Sequence, residues 1–192
     1  TGFDIATGKV AWRGAFAEWG IKGVSYLSSG DGVMVITDNT GLVVCVDMNT
    51  GKIRWIGSRI TGANKAPVGP PRIERGVVMV TTNNYKKLTC YHAKGGKALG
   101  TWSASSSVYG RVTEGGMILV MVDGVVSIHD PARMDRPLWA KKYSSSSQPM
   151  VLTSDTGKLF ISQGKTSPWI DVISMSDGRQ LARLRCGNFT GS

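Results

Sequence analysis

The chain has 192 residues, of which 41% are hydrophobic and 19% are charged. Lysine and arginine total 23 against 13 aspartate and glutamate residues, which gives a net charge of +10. No apolar run reaches the roughly 18 residues that a membrane-spanning helix needs, so a span of that kind is excluded. The chain does not open on a charged segment followed by an apolar one, so no secretory signal is visible.

The predicted elements are short strands from the start of the chain to its end. The apolar runs, such as residues 77–80 and 117–122, have the length of a strand and are bounded by glycine or polar turn residues. No segment longer than a turn or two shows the apolar spacing of a helix. The sequence therefore predicts an all-β fold.

Residues 16–57 show how these strands are grouped. Strands are predicted at residues 23–28, 32–37, 42–47 and 52–56, and glycine, aspartate and asparagine turns separate them. Four antiparallel strands in about 43 residues match one blade of a β-propeller.

One stretch recurs along the chain. FDIATGKVAW at residues 3–12 and VDMNTGKIRW at residues 46–55 are near duplicates. Weaker copies are CYHAKGGKALGTW (90–102), IHDPARMDRPLW (128–139) and ISMSDGRQLA (173–182). Measured from Trp12 to Trp55, Gly100, Trp139 and Ala182, the intervals are 43, 45, 39 and 43 residues. This period is also the size of a propeller blade.

The pattern GxLxxxDxxTGKxxW resembles the repeat of the quinoprotein-like propellers, whose repeats are of the PQQ type. The WD-type propellers are a neighbouring alternative, since the tail LRCGNFTGS is similar to the start of such a repeat, but the chain has no Trp-Asp dipeptide. The resemblance implies that each repeat tryptophan packs between neighbouring blades and that each glycine permits a tight turn. The structural positions implied are Trp12, Trp55, Trp102, Trp139, Gly8, Gly51, Gly96 and Gly178.

The repeat divides the whole chain into about four and a half blades. The predicted pieces are the end of a blade at 1–15, blades at 16–57, 64–104, 105–143 and 147–186, and the start of another at 187–192. Because the quinoprotein-like families usually have seven or eight blades, we expect these pieces to belong to a larger ring. A small ring closed by pairing of its end strands is the alternative.

No catalytic, cofactor-binding or metal-binding residues are predicted. A quinone-dependent dehydrogenase of this family needs calcium ligands and commonly an adjacent cysteine pair, whereas Cys45, Cys90 and Cys186 are all separate. His92 and His129 have no other ligand residues clustered around them in the sequence. Three thiols at unmatched positions do not form a disulfide framework, which favours a reducing, intracellular compartment.

The positive charge is the remaining signal. Many lysine and arginine residues fall on predicted fourth strands, where edge charges prevent pairing with other chains. The segment 59–75, which contains the Pro-rich stretch APVGPPRIERG, is basic and is predicted to be a partner-binding loop. The candidate contact residues are Arg59, Lys65, Arg72, Arg75, Lys86 and Lys87.

These observations predict a non-catalytic propeller that acts as a scaffold for protein–protein interaction in a larger assembly. The first alternative is a basic, RNA-associated subunit of a ribonucleoprotein, for which Tyr85, Tyr109 and Tyr143 are the candidate stacking residues. The second alternative is a fragment of a quinone-dependent dehydrogenase, which rests on the family resemblance alone. No small-molecule substrate is evident.

Overall fold

The structure, a computed structural model, describes residues 1–57, 66–82, 84–143, 150–153, 157–162 and 168–185, and only the backbone of residues 150–153. The chain divides into two compact units, Thr1–Ser107 and Val108–Ser192. The described residues form strands, turns and irregular segments without a helix, which confirms the predicted all-β class.

The first unit contains, in its described part, a two-stranded sheet and two four-stranded sheets. The two-stranded sheet pairs β1 (Gly2–Phe3) with β2 (Val10–Trp12). The next sheet contains β3 (Val24–Gly30), β4 (Val33–Asp38), β5 (Val43–Asp47) and β6 (Ile53–Ile56). The third contains β7 (Arg72–Glu74), β8 (Val77–Thr82), β9 (Lys87–His92) and β10 (Ala98–Ser103).

The second unit contains two more four-stranded sheets among the described residues. One contains β11 (Val108–Val112), β12 (Ile118–Val122), β13 (Val125–His129) and β14 (Trp139–Lys142). The other contains β15 (Met150–Thr153), β16 (Lys158–Ser162), β17 (Trp169–Ser174) and β18 (Gln180–Arg185). In every four-stranded sheet of both units, strands that follow one another in the chain are antiparallel neighbours.

Two-residue turns join several of these strands. Asp31 and Gly32 connect β3 to β4 with φ angles of 50° and 72°. Positive φ at both central residues defines a type I′ turn, whose twist matches that of the flanking strands. The same turn occurs at Arg75-Gly76 between β7 and β8, with φ angles of 50° and 77°, and at Asp123-Gly124 between β12 and β13.

A bulge at the start of the fourth strand sets which way the repeat tryptophan points. Trp55 pairs with Cys45 whereas Ile53 pairs with Val46, because the register shifts between Cys45 and Val46. Since neighbouring residues of a strand point to opposite faces, Trp55 and Ile53 lie on opposite faces of their sheet although they are two residues apart.

The core of each unit lies between consecutive sheets. In the first unit, one cluster lies between the sheet of β1 and β2 and the sheet of β3 to β6, and a second lies between that sheet and the sheet of β7 to β10. In the second unit, a cluster joins the β11 to β14 sheet to the β15 to β18 sheet. The fully buried positions include Val35, Cys45, Val80, Ile128, Leu159 and Ile173.

Candidate functional site

The repeat tryptophans contact the turn of the sheet that follows them. The Trp12 indole donates its Nε1–H to the carbonyl oxygen of Met48 over 2.7 Å. The ring lies against Gly51, where an added Cβ would come within 2.5 Å of it. The same pair of contacts recurs for Trp55 with Ala93 and Gly96, and for Trp139 with Met175 and Gly178.

Trp55 shows how deeply such a ring is packed. Its side chain is 8% exposed, and the ring stacks on Tyr91 with the centroids 5.6 Å apart. Trp102 has a different place in its strand, because the register puts Gly100 opposite Cys90 and Trp102 opposite Leu88. The insertion that was visible in the sequence therefore shifts Trp102 along β10.

The predicted basic contact residues are not all at one place. Arg72 lies in β7 and Arg75 in the turn that leads into β8, whereas Lys86 and Lys87 lie after the other end of β8. The six residues of β8 span roughly 17 to 20 Å, so the arginines and lysines form two separate pairs. Arg59 and Lys65 fall outside the described residues.

The stretch predicted as a loop is partly ordered as a sheet, which corrects that expectation. Pro67 forms a bridge with Thr82, and the Val68 N–H donates to the Thr81 carbonyl oxygen over 3.1 Å. The Tyr85 hydroxyl donates to the Val68 carbonyl oxygen, also over 3.1 Å. Residues 72–74 then form β7, and Ile73 packs against the buried cluster between this sheet and the sheet of β3 to β6.

Buried aspartates have structural partners. Asp38 accepts hydrogen bonds from the N–H groups of Thr40 and Leu42, both over 2.8 Å, and from the Thr40 hydroxyl. Burial acts to raise the pKa of Asp38, but the hydrogen bonds from Leu42, Thr40 and Lys22 outweigh it and lower the pKa overall. This carboxylate holds the turn after β4 and remains ionised.

A second buried carboxylate was not identified from the sequence. Asp171 is 1% exposed, and its Oδ1 accepts from Nε of Arg183 on the neighbouring strand over 2.7 Å. The Arg183 Nη2 reaches the other carboxylate oxygen over 3.3 Å. The sequence does contain a signal for this ion pair, which is the aspartate in the middle of the apolar strand WIDVIS. A carboxylate buried at such a position needs a cationic partner.

Tyr143 is buried beside this ion pair, which corrects its assignment as an exposed stacking residue. Its side chain is 6% exposed because it packs in the cluster that contains Leu159, Ile161 and Ile173. Burial, reinforced by the Asp171 carboxylate, raises the pKa of Tyr143 to about 12. Of the other two tyrosines, Tyr109 is half-buried and Tyr85 is 56% exposed.

The thiols and imidazoles of the described chain occupy structural positions. Cys45 and Cys90 are fully buried free thiols, and burial raises the pKa of Cys45 to about 11 and that of Cys90 to about 12. His129 Nε2 lies 3.0 Å from the Ser127 hydroxyl, and burial lowers the pKa of the imidazole. Among the described residues no three His, Cys, Asp or Glu side chains are grouped closely enough to hold a metal ion.

Because Cys45 and Cys90 are buried and protonated, their presence as free thiols does not indicate a compartment. A buried, protonated thiol reacts slowly with oxidants and disulfides. Cys45 and Cys90 would therefore persist as thiols in an oxidising compartment as well as in a reducing one.

The described residues contain no helix of the length and hydrophobicity that a membrane-spanning segment requires.

A sequence model of a PQQ-repeat family, described as outer membrane protein assembly factor BamB, matches residues 1–112. The chain belongs to this family. The match covers more than half of the chain, and the quinoprotein-like resemblance of the repeat is thereby confirmed. Among curated proteins, none is significantly similar to this BamB-family chain in sequence.

Solved structures share the propeller fold with this BamB-family chain. BamB from Moraxella catarrhalis is 18% identical with a TM-score of 0.53, and the match covers 84% of this chain and 50% of that one. A chain of the mitotic checkpoint complex is 15% identical with a TM-score of 0.54, covering 86% of this chain and 52% of that one. A europium-containing methanol dehydrogenase is 11% identical with a TM-score of 0.53, covering 83% and 41%.

These similarities confirm the predicted partial propeller of four-stranded antiparallel blades. This chain spans about half the length of the structures it matches. At such low identity the methanol dehydrogenase shares the fold alone, so its activity does not transfer. The family and these structures lend no support to the RNA-binding alternative.

Proposed function

We propose that this BamB-family chain is a non-catalytic propeller scaffold that mediates protein–protein interaction in a larger assembly. The observation that carries the proposal is the family match, because that family is described as an assembly factor. A similar chain from the mitotic checkpoint complex comes from a multiprotein assembly as well. Both descriptions apply to those proteins and support the same class of function for this one.

The chemistry of the described residues favours a scaffold over an enzyme. Asp38 and Asp171, the buried carboxylates, are held by hydrogen bonds or an ion pair. Cys45 and Cys90 are protonated at neutral pH because burial raises the pKa of both. A general base or nucleophile needs access to substrate, and all four of these groups are buried.

We assign the partner contact to the exposed Arg72 and Arg75. Arg72 begins β7 and Arg75 lies in the turn to β8, where the Gly76 N–H donates to Oδ2 of Asp31 on the neighbouring sheet over 2.8 Å. This contact holds the β7–β8 hairpin against the neighbouring sheet, and Arg72 and Arg75 are both exposed residues. Arginine is enriched where proteins meet, and this pair is suited to an acidic protein surface.

The experiment is affinity purification of the full-length protein from its native source, with and without nuclease, followed by mass spectrometry. The test variant combines Arg72→Ala with Arg75→Ala, and the matched control combines Lys86→Ala with Lys87→Ala. Each removes two positive charges, and alanine has the same Cβ that arginine has at the left-handed position 75. We expect a protein partner that survives nuclease and is lost from the arginine variant alone.

Other outcomes contradict the proposal in distinct ways. Loss of every partner on nuclease treatment would make the chain an RNA-associated subunit. A nuclease-resistant partner that binds both variants equally would place the contact away from the β7–β8 hairpin.

A further inference from the structure

The fourth strand of each four-stranded sheet has a free edge in the described chain. These strands are β6, β10, β14 and β18, and each of them pairs with a single neighbour. The backbone groups along such an edge can pair with another chain, and charged side chains on the strand discourage this. β6 contains Arg54, β14 contains Lys141 and Lys142, and β18 contains Arg183 and Arg185. β10, whose sequence is ALGTWS, contains no charged residue.

The backbone groups that β10 directs to its free edge follow from its register. The Ala104 N–H donates to the Lys86 carbonyl oxygen over 2.8 Å, one position beyond the last paired residues of β10 and β9. In an antiparallel pair of strands, hydrogen-bonded and non-hydrogen-bonded residues alternate. Trp102 therefore bonds to β9, whereas Thr101 and Ser103 direct their N–H and C=O groups away from it. Both of these residues are exposed.

The surroundings of this neutral edge are basic. Lys94 and Lys97 are exposed between β9 and β10, and the exposed Lys86 precedes Lys87, which pairs with Ser103 at the other end of β10. No aspartate or glutamate occurs between residues 75 and 113. Two copies that paired along β10 would bring lysine against lysine in either strand direction, which is unfavourable. The charges therefore favour an acidic partner over a second copy.

We propose that β10 is a docking edge for an extended segment of an acidic protein partner, which adds a fifth strand to this sheet. The partner strand has β-branched residues at its centre and acidic residues at its ends. Its backbone pairs with that of Thr101 and Ser103, which supplies the affinity. Its carboxylates are attracted by the lysines, which mainly raises the association rate. β7, where Arg72 lies, is the opposite edge of the same sheet, so this contact is separate from the arginine contact assigned above.

The test measures amide hydrogen exchange in the ¹⁵N-labelled protein. The probe is the synthetic peptide Glu-Thr-Val-Thr-Val-Thr-Glu at about 1 mM. We expect the amides of Thr101 and Ser103 to exchange at least about threefold more slowly with the peptide, because exchange then occurs from the unbound fraction. The amide of Ala140, at the corresponding position of β14, should not slow in the same way. The variant that combines Arg72→Ala with Arg75→Ala should still bind the peptide.

Two control peptides separate backbone pairing from charge. N-methylation of two consecutive central residues blocks both edges of the peptide, so it should abolish the slowing. Replacement of both glutamates by lysine keeps the backbone and reverses the charge. We expect that peptide to bind about three- to tenfold more weakly, as is typical for a few exposed charges.

A matched pair of protein variants locates the contact. Thr101→Pro removes an N–H that faces away from β9, so it blocks the partner and leaves the ladder of the sheet in place. Ala140→Pro makes the same change in β14, where the Tyr143 N–H bonds to the Gly124 carbonyl oxygen and the alternation directs Ala140 to the free edge. We expect Thr101→Pro to abolish the slowing at Ser103 and Ala140→Pro to preserve it.

Four results would overturn the proposal. The absence of slowing at Thr101 and Ser103 would show that the edge does not accept a strand. Equal slowing at Ala140 would show that the peptide follows positive charge. Slowing by the N-methylated peptide would mean that backbone pairing is not involved. Self-association in sedimentation, abolished by Thr101→Pro, would make the occupant a second copy.

Discussion

Trp55 combines three interactions in one side chain. It is 8% exposed, it donates to the Ala93 carbonyl oxygen, and its ring stacks on Tyr91. We predict that Trp55→Ala lowers the free energy of unfolding by about 3 to 5 kcal/mol, because the cavity adds to the lost burial. Urea unfolding monitored by circular dichroism measures the change.

Trp169 provides the control for that substitution. It is 37% exposed, with the Arg185 guanidinium 5.9 Å from its ring centroid. Trp169→Ala should cost much less than Trp55→Ala. A loss below about 1 kcal/mol for Trp55→Ala would show that this ring does not stabilise the contact between its two sheets.

Asp47 gives the turn before β6 a pH dependence. The hydrogen bond from Arg54, followed by those from Thr50, lowers the pKa of Asp47 from 3.8 to about 2. Because the folded-state pKa is lowered, the stabilisation is present above the unfolded pKa and is lost as the pH falls from about 4 to 2.

The measurement for Asp47 compares the wild type with Asp47→Asn by urea unfolding at several pH values. The stability difference between them should be largest near pH 5 and should shrink toward pH 2. A difference that stays constant over this range would mean that the carboxylate does not titrate with the lowered pKa.

Among the turns, Gly96 is required for two reasons. Its φ is 69°, and an added Cβ would lie 2.6 Å from Cγ of Trp55. Gly116 has a φ of 78° with nothing within 4 Å, so it isolates the backbone contribution. We predict that Gly96→Ala costs about 1 to 3 kcal/mol more than Gly116→Ala, since only the former crowds a packed ring.

Thermal and urea unfolding of both variants would measure this difference. Equal losses would mean that the Trp55 ring moves aside without cost. In that case only the positive φ at position 96 would require glycine there, and the contact with the Trp55 ring would not.

The pairing of β17 with β18 contains an asymmetric ion pair. The Asp171 side chain is 1% exposed, whereas that of Arg183 is 45% exposed. Removing the arginine leaves a buried carboxylate without its cation, while removing the carboxylate charge leaves an arginine that water can reach. We therefore predict a larger loss of stability for Arg183→Ala than for Asp171→Asn.

Thermal unfolding of the two variants, followed by fluorescence or circular dichroism, shows which substitution lowers the stability more. The reverse order would mean that the hydrogen bonds of the Asp171 carboxylate matter more than its charge. Lys141 interacts with the Tyr143 ring nearby, so Lys141→Ala is a useful control for nonspecific effects of losing a cation.

At the scale of a whole compact unit, Thr1–Ser107 can be tested for cooperative unfolding of its sheets. Cys45 and Cys90 are fully buried in two consecutive sheets of this unit. In a Cys186→Ser background, we expect both thiols to react with a disulfide reagent at the same rate in moderate urea. Labelling then requires opening of the whole unit rather than local fraying.

Mass spectrometry of digested, labelled protein reads the two rates separately. Rapid labelling of Cys90 while Cys45 remains protected would show that the β7 to β10 sheet opens alone.

Much of the fold follows from short stretches of sequence. Alternating apolar residues and turns such as Gly30-Asp31-Gly32 are properties of contiguous residues, so the strands around them could be predicted to within two residues. The turn at Arg75-Gly76 was not visible, because arginine is an unusual residue at positive φ. Strand β7 was consequently taken for a loop.

The repeat also established the family, since FDIATGKVAW and VDMNTGKIRW carry its signature within ten residues. The placement of side chains between sheets did not follow from it. The burial of Tyr143, the Asp171–Arg183 pair and the separation of the arginines from the lysines depend on strand register and on the neighbouring sheet.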